Sequence, residues 1–258
     1  MSDLTYDIQG HLALITLNRP NKHNAFDKAL LAQMHDYFKK AIDAPNVRVI
    51  VLKAEGRNFS AGADLAWMQS MANFSLEDNK EDAMVLAKLM TTIYQSPKPT
   101  LAVIQGCAYG GGAGLAAACD IAIAATSARF CFSEVTLGLI PAVISPFVVK
   151  AIGARATKAL FMSAEVFDAP RALALNLIQH CVPEENLLEF SLNYATNIAN
   201  NAPESVKAAK ALVDFVAHKT IDETLEQETA TLIANKRVSE EGQKGLKAFL
   251  NKESPNWN

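Results

Sequence analysis

The chain of 258 residues has a formal net charge of −3, is half apolar and one-fifth charged, and has a mean hydropathy of +0.08. This is the balance of an ordinary globular protein, which excludes a disordered chain. With no long basic run it also speaks against a nucleic-acid partner, whose phosphates are held mainly by clustered Lys and Arg. The opening MSDLTYDIQG lacks the basic lead and apolar core of a signal peptide, and the apolar run at 113–118 meets Asp120 well short of the roughly 18 residues of a membrane span. A cytoplasmic protein without a membrane partner is expected. Cys107, Cys119, Cys131 and Cys181 lack C-x-x-C spacing and read as reduced thiols rather than a zinc or redox site.

In chain order, residues 11–17 are rich in β-formers, 27–42 repeat apolar residues at helical spacing behind Asp27 as N-cap, and 47–52 form a buried-type apolar run. Strand, helix and strand in that order predict an α/β crossover. Residues 18–24, NRPNKHN, are dense in turn formers and basic residues, and 56–62 lead into a helix starting near Ala63. A helix is expected over 76–94, stopped by Pro97 and Pro99, and then a strand over 100–104. Gly106, Gly110, Gly111, Gly112 and Gly114 follow; such density means that backbone approaches something closely or adopts positive φ. A short helix to Ala118, a strand over 121–124 and a turn to 130–132 come next. From about Ala151 the pattern is helical over 154–162, 170–177 and 187–200, with a weak strand at 180–182. Residues 203–218 and 221–250 are amphipathic and suit a lid or an oligomer contact. The division expected is a catalytic core over 1–195 and a helical region over 196–258.

The chemistry centres on two glycine-bearing turns, FSAGADL at 59–65 and YGGGAGL at 109–115, each following a strand and opening a helix. A helix start exposes unpaired N–H groups at the positive end of its dipole, which suit a phosphate, a carboxylate or a developing oxyanion. Two such turns are able to aim two N–H groups at one oxygen, the geometry that stabilises an enolate. The bland alternative is a pair of tight turns. A second alternative is a dinucleotide site, since 112–117 matches G-x-G-x-x-A with Glu134 downstream, although the crossover is shorter than the roughly 30 residues of a βαβ unit. His11, His35, His180 and His218 form no ligand pair, so no metal is expected; His23 lies in the 18–24 turn, either bordering the site or facing solvent. Asp120 reads as an anchor for turn backbone.

These turns, with LNRPNKHNAF before them, ACDIAIA and FSEVTLGLIP after them and EGQKGLKAFLNK near the end, resemble the crotonase superfamily, also called the enoyl-CoA hydratase and isomerase family, over nearly the whole chain. The resemblance implies an α/β fold, a spiral of ββα units with a helical C-terminal region, and trimers that often pair into hexamers. It implies an acyl-CoA thioester bound across the two turns, coenzyme A being part of the substrate and no separate cofactor being needed. By the same resemblance the N–H groups of Ala63 and Gly111 form the oxyanion hole. Ala61, Asp64 and Leu65, with Lys22 to Ala25, border the coenzyme A, and Phe249 and Lys252 reach it from the C-terminus, sometimes in a neighbouring subunit. Glu134 falls where hydratases of the family keep one of two catalytic glutamates. Trp67 and Met68 are expected to line the acyl pocket or the core, and Gly114 and Pro141 to border the acyl chain.

The chain departs from the pattern at Gly114, where the typical hydratase has its other glutamate. One carboxylate must then serve both roles or recruit the substrate. The string GLIPAVISPFVVKAIGARAT nonetheless resembles bacterial methylglutaconyl-CoA hydratases of leucine breakdown, whose substrate carries a distal carboxylate; the expectation is that this carboxylate or a water fills the space beside Gly114. Hydration of a 2-enoyl-CoA is the leading reading, with a double-bond isomerase or a non-catalytic acyl-CoA-binding protein as alternatives.

Overall fold

The computed structural model describes residues 2–71 and 73–257. Its main sheet has six strands, in the order β1 (Leu4–Gln9), β2 (Leu12–Leu17), β3 (Val49–Ala54), β4 (Thr100–Ile104), β6 (Ile121–Ala125) and β9 (His180–Val182). β1 pairs antiparallel with β2. β3 and β4 continue in parallel. All six residues of β2 and all five of β4 are buried, as strands covered on both faces must be. Their alternation divides the core in two. Leu12, Leu14, Val49, Val51, Leu101 and Val103 face one apolar cluster, and Ala13, Ile15, Leu17, Ile50, Leu52, Ala102 and Ile104 face the other.

The second face is covered by α1 (Lys28–Asp43), which buries Leu30, Leu31, Met34, Phe38 and Ala41 along one stripe, and by α3 (Leu76–Tyr94). Asp27 caps α1 by accepting from the Leu30 N–H, as expected, and Ser75 with Asp78 forms a capping box on α3. Between these helices lies the short α2 (Leu65–Met71). After β4 the chain makes β5 (Cys107–Tyr109), α4 (Gly111–Ala118), β6 (Ile121–Ala125) and β7 (Arg129–Cys131). α5 (Ser145–Ser163) is broken at Gly153, where φ is 77°. β8 (Phe167–Asp168) completes a small sheet in the order β5-β7-β8, α6 (Ala169–Ala174) follows, and β9 (His180–Val182) returns to the edge of the large sheet. α7 (Leu187–Ala199) closes the first face through Leu187, Ala195 and Ala199.

Beyond α7 come α8 (Pro203–Val216), α9 (Glu223–Val238) and α10 (Glu240–Leu250). The amphipathic run at 221–250 is therefore two helices. Ser239 divides them, because its extended backbone ends α9 while its side chain accepts from the Gly242 N–H to start α10. Three further strands, β1, β5 and β8, went unread in the sequence. Asp120 anchors backbone as expected, its carboxylate accepting from the Thr100 N–H at 2.8 Å and from Lys210 Nζ at 2.6 Å. No helix among the described residues is long and apolar enough to cross a membrane.

Candidate active site

The loops that leave the C-terminal ends of β2, β3 and β4 are stitched together by buried amides. His23 and Asn24 both take left-handed backbone, at φ 51° and 52°. Asn24, fully buried, holds that turn: its Nδ2 donates to the carbonyls of Glu55 (2.8 Å) and Asn58 (2.7 Å), and its Oδ1 accepts from the Arg19 N–H (2.8 Å). Asn58 Oδ1 accepts from the Cys107 N–H at 3.0 Å, which fixes its amide orientation and leaves Nδ2 to donate to His23 Nδ1 at 2.9 Å. A neutral His23 thus carries its proton on Nε2. Ser60 Oγ, also buried, donates to the Asn24 carbonyl and accepts from the Gly62 N–H. Between the loops, the Ser60 N–H donates to the Cys107 carbonyl and the Tyr109 N–H to the Ser60 carbonyl, each at 3.0 Å.

This stitching brings the two glycine-bearing turns into contact. Gly62, at φ 90°, lies against the second turn so closely that a β-carbon on it would stand 3.0 Å from the Tyr109 carbonyl oxygen and 3.8 Å from the Gly111 nitrogen. Phe26 and Ala63 form a parallel bridge: the Phe26 N–H donates to Gly62 O and Phe26 O accepts from the Asp64 N–H, both at 2.9 Å. In such a pair the residue between the two partners turns its own N–H to the other side. Ala63 is that residue. Gly110, at φ 50° and ψ −121°, caps α4 and makes Gly111 the first helical residue, whose N–H has no intrahelical acceptor. Among the described residues neither the Ala63 nor the Gly111 N–H is engaged in a hydrogen bond.

Glu134 begins a 3-10 turn directly after β7. Its carboxyl lies over Gly110, where a β-carbon would be 3.2 Å from Oε1 and 3.7 Å from Cδ. Its Oε2 is buried and has no hydrogen-bond partner among the described residues. Burial pushes the carboxyl above its ordinary pKa. A group that takes and returns a proton near neutral pH needs that shift. Tyr109 differs: burial, more than any other influence, pushes its hydroxyl up to about 12, so it stays protonated.

The other expected residues lie on the turn before α1, on the first glycine-bearing turn and α2, ahead of α5 and at the end of α10. Asp64 is buried and turned inward. Its Oδ1 accepts from the Ala66 N–H at 2.9 Å, and its Oδ2 takes Lys22 Nζ at 2.9 Å and Arg19 Nη2 at 3.2 Å. Asp64 therefore supports the turn, Lys22 is drawn onto it, and Ala61 and the 77% exposed Leu65 are left facing outward. Ala25 is buried and offers its carbonyl to Arg19 Nη1. Trp67 is half-buried with Nε1 donating to Asp82, Met68 is half-buried, and Pro141 is buried. Phe249 and Lys252 are exposed at and just past the end of α10, which packs chiefly on α9.

Gly114 requires a correction. A β-carbon there would fall inside the Cγ2 methyl of Ile144 and 2.8 Å from Met90 Cε, so the position is filled by apolar side chains and offers no room for a carboxylate or a water. The G-x-G-x-x-A match at 112–117 dissolves for a related reason. Its glycines lie inside α4, Gly112 against Ser60 and Gly114 against Ile144, and serve internal packing instead of a phosphate turn.

The model of the enoyl-CoA hydratase/isomerase family matches residues 7–258. The chain belongs to this family. A 2,3-dehydroadipyl-CoA hydratase of Escherichia coli is similar at 31% identity, covering 100% of this chain and 99% of its own. A crotonyl-CoA hydratase of Syntrophomonas wolfei is 31% identical over 95% of this chain and 94% of its own. A solved structure from Legionella pneumophila, provisionally named an enoyl CoA hydratase/isomerase (crotonase), is 69% identical with a TM-score of 0.99 over 100% of both chains. An enoyl-CoA hydratase structure from Shewanella pealeana is 41% identical with a TM-score of 0.94, covering 99% of this chain and 96% of that one. The protein is thus an enzyme of the crotonase superfamily with its α/β fold, as the sequence resemblance implied. Sequence reasoning took Asn24 only as part of the 22–25 segment bordering the coenzyme A and missed Arg19, Phe26, Asn58 and Ser60; the contacts of all five join separate loops. The one local signal was an asparagine embedded in a turn and followed directly by apolar residues.

Proposed function

We propose that this enzyme adds water to a 2-enoyl-CoA thioester, with the Ala63 and Gly111 N–H groups receiving the thioester oxygen and Glu134 carrying the proton. The observation that carries the reading is the Glu134 carboxyl, with one oxygen over Gly110 and the other buried without a partner among the described residues, one residue from a helix-start amide that is likewise unengaged among them. Glu134 as carboxylate takes a proton from water, the water oxygen bonds to Cβ, and the double-bond electrons pass to the thioester oxygen as an enolate. Two preorganised N–H donors stabilise that charge. The enolate then takes the proton back from Glu134 at Cα, so one water is added in full. One carboxylate is sufficient because the same proton is taken and returned.

A substrate with a distal carboxylate, such as 3-methylglutaconyl-CoA, is the acyl group we favour. The resemblance around 138–157 supports it, and the Escherichia coli relative is named for a dicarboxylic enoyl-CoA. With the Gly114 position filled, that carboxylate is not held there. Lys22, Ala25, Ala61 and Leu65 are proposed to border the coenzyme A, and Trp67, Met68 and Pro141 the acyl chain. Phe249 and Lys252 would serve a neighbouring subunit of a homotrimer or hexamer. A groove of about 760 Å³ between α8 and α9, lined by Leu212, Phe215, Leu232 and Ile233, supports assembly through this region.

The test is turnover of crotonyl-CoA and 3-methylglutaconyl-CoA, followed at the enoyl thioester absorbance band. Glu134→Gln should lower it about a hundredfold or more, and full activity in that variant would overturn the reading. A single carboxylate also suits double-bond isomerisation; products formed from 2-enoyl- and 3-enoyl-CoA in deuterated water separate the two reactions.

A further inference from the structure

We infer that Phe26 is the positioning residue that sets the spacing of the two oxyanion donors, through its backbone to one and its ring to the other. The inference rests on the assignment of the Ala63 and Gly111 amides made above. Its ground is that one residue touches both turns in two different ways. Through its main chain Phe26 bonds Gly62 O and the Asp64 N–H at 2.9 Å each, which fixes the peptide on either side of Ala63 and turns the Ala63 N–H away from the bridge. Through its side chain, 2% exposed, it points its ring edge at Gly111, where a β-carbon would be 2.6 Å from Cζ and 3.2 Å from Cε2.

The bridge is braced from outside by one guanidinium. Arg19 Nη1 donates to the Ala25 carbonyl at 3.0 Å and to Asp27 Oδ2 at 3.2 Å, and Nη2 donates to Asp64 Oδ2 at 3.2 Å. The residues on both sides of Phe26 and the residue after Ala63 are thus held by the same planar group. The Phe26 ring is thereby held against Gly111, and its contact adds to the backbone bonds of Ser60 with Cys107 and Tyr109 that join the same two turns. Gly111 does not require glycine for its backbone, since its φ is not positive. What excludes a side chain at Gly111 is the Phe26 ring.

That exclusion makes the inference testable by a suppressor. Phe26→Leu should lower kcat at least tenfold while KM changes less than threefold, because misaligned donors cost transition-state binding most. Gly111→Ala should lose activity as its new methyl pushes against the ring, and the double variant should be more active than the product of the two single losses, since the shortened side chain makes room. Phe26→Met, unbranched and longer than leucine, should be intermediate, and it serves in place of Phe26→Leu if that variant does not fold. A second readout needs no turnover. The infrared carbonyl stretch of bound butyryl-CoA, labelled at the thioester carbon, should lie lower in the parent enzyme than in Phe26→Leu. Equal stretches in the two proteins, or strictly multiplicative losses in the cycle, would show Phe26 to be ordinary core and overturn the inference. Failure of the parent enzyme to bind butyryl-CoA at all, measured by calorimetry, would instead overturn the functional reading beneath it.

Discussion

Ile144 occupies the place that a side chain on Gly114 would need: its Cβ, like Met90 Cε, lies 2.8 Å from the point where a β-carbon would be built. Gly114 sits in the interior of α4, so alanine there gains about 1 kcal/mol of helix propensity. Overpacking a tight core costs about 1–3 kcal/mol. Met90 Cε is the end of a flexible chain and is able to yield, whereas Ile144 Cβ moves only with its backbone. The clash should therefore win. Gly114→Ala is expected to lower the unfolding free energy by about 1 kcal/mol in urea titration, and Gly114→Glu by more, without added hydratase activity. In an Ile144→Ala background, Gly114→Ala should be neutral or stabilising.

Glu134 is expected to trade stability for chemistry. Burial favours its neutral form, so the native state holds the proton to higher pH than the unfolded chain, whose value is about 4.3. Between those two pKa values the native state binds more protons, and stability declines as pH rises through that window. Above it the full cost of a buried, unpartnered carboxylate remains. Glu134→Gln should therefore raise Tm at neutral pH, leave it little changed near pH 4, and abolish most turnover. In the parent enzyme the acidic limb of kcat against pH should lie above the ordinary glutamate range. A Tm gain independent of pH would contradict the assigned cause.

How far these features are legible in sequence follows from their range along the chain. α3, β4 and β9 have the bounds that periodicity and flanking prolines predict, because helix faces, strand runs and caps are local. β1 was missed although Leu4, Tyr6 and Ile8 alternate toward the core, for its polar partners mask the apolar total. β5 and β8 are too short to carry a pattern, and they exist because β7 lies between them. Of the site, the glycine turns and Glu134 stand out in composition and family likeness. Arg19, Asn24 and Phe26 lie inside the LNRPNKHNAF segment that carries the likeness, but what they do did not show, since each works by joining loops that only the parallel sheet brings side by side. Gly114 was read as a vacancy because sequence shows which side chain is missing and not which neighbour has moved in.

Asp64 should govern acid stability of the first turn. Its carboxyl is held below the ordinary range chiefly by the hydrogen bond from Lys22, against the opposing effect of burial, with help from the Ala66 and Trp67 N–H groups. Its charged form is therefore favoured in the native state. The stability this contributes is present above the unfolded value of about 3.9 and is lost as pH falls through the native pKa. Lys22 is the nearer cation, yet its side chain is 55% exposed and solvent screens it, whereas that of Arg19 is only 9% exposed. Lys22→Ala should accordingly cost no more than about 0.5–1 kcal/mol. Asp64→Asn, which points a donor at Arg19 while keeping an acceptor for the Ala66 N–H, should cost about 1.5–3 kcal/mol. The Asp64→Asn deficit should shrink on acidification below pH 4, measured by urea unfolding across pH.

Asn24 combines a strained backbone with three hydrogen bonds, and two substitutions separate the contributions. Alanine removes the side-chain bonds to Glu55, Asn58 and Arg19 and must also hold φ 52°, a left-handed conformation costing about 1–2 kcal/mol for a residue without a local polar side chain. Glycine removes the same bonds but takes that backbone freely. Each buried backbone group left without its partner costs about 1–3 kcal/mol, so both variants should be strongly destabilised and Asn24→Ala more so than Asn24→Gly, by about 1 kcal/mol. If only the hydrogen bonds mattered, the two would unfold at the same urea concentration. Because the Asn24 carbonyl also receives Ser60 Oγ at 2.9 Å, a turn that relaxes at Asn24 releases Ser60 and with it the Gly62 N–H. The surviving folded fraction of Asn24→Gly should then show reduced kcat, because the first turn has lost the bonds that held the Ala63 amide against its neighbour.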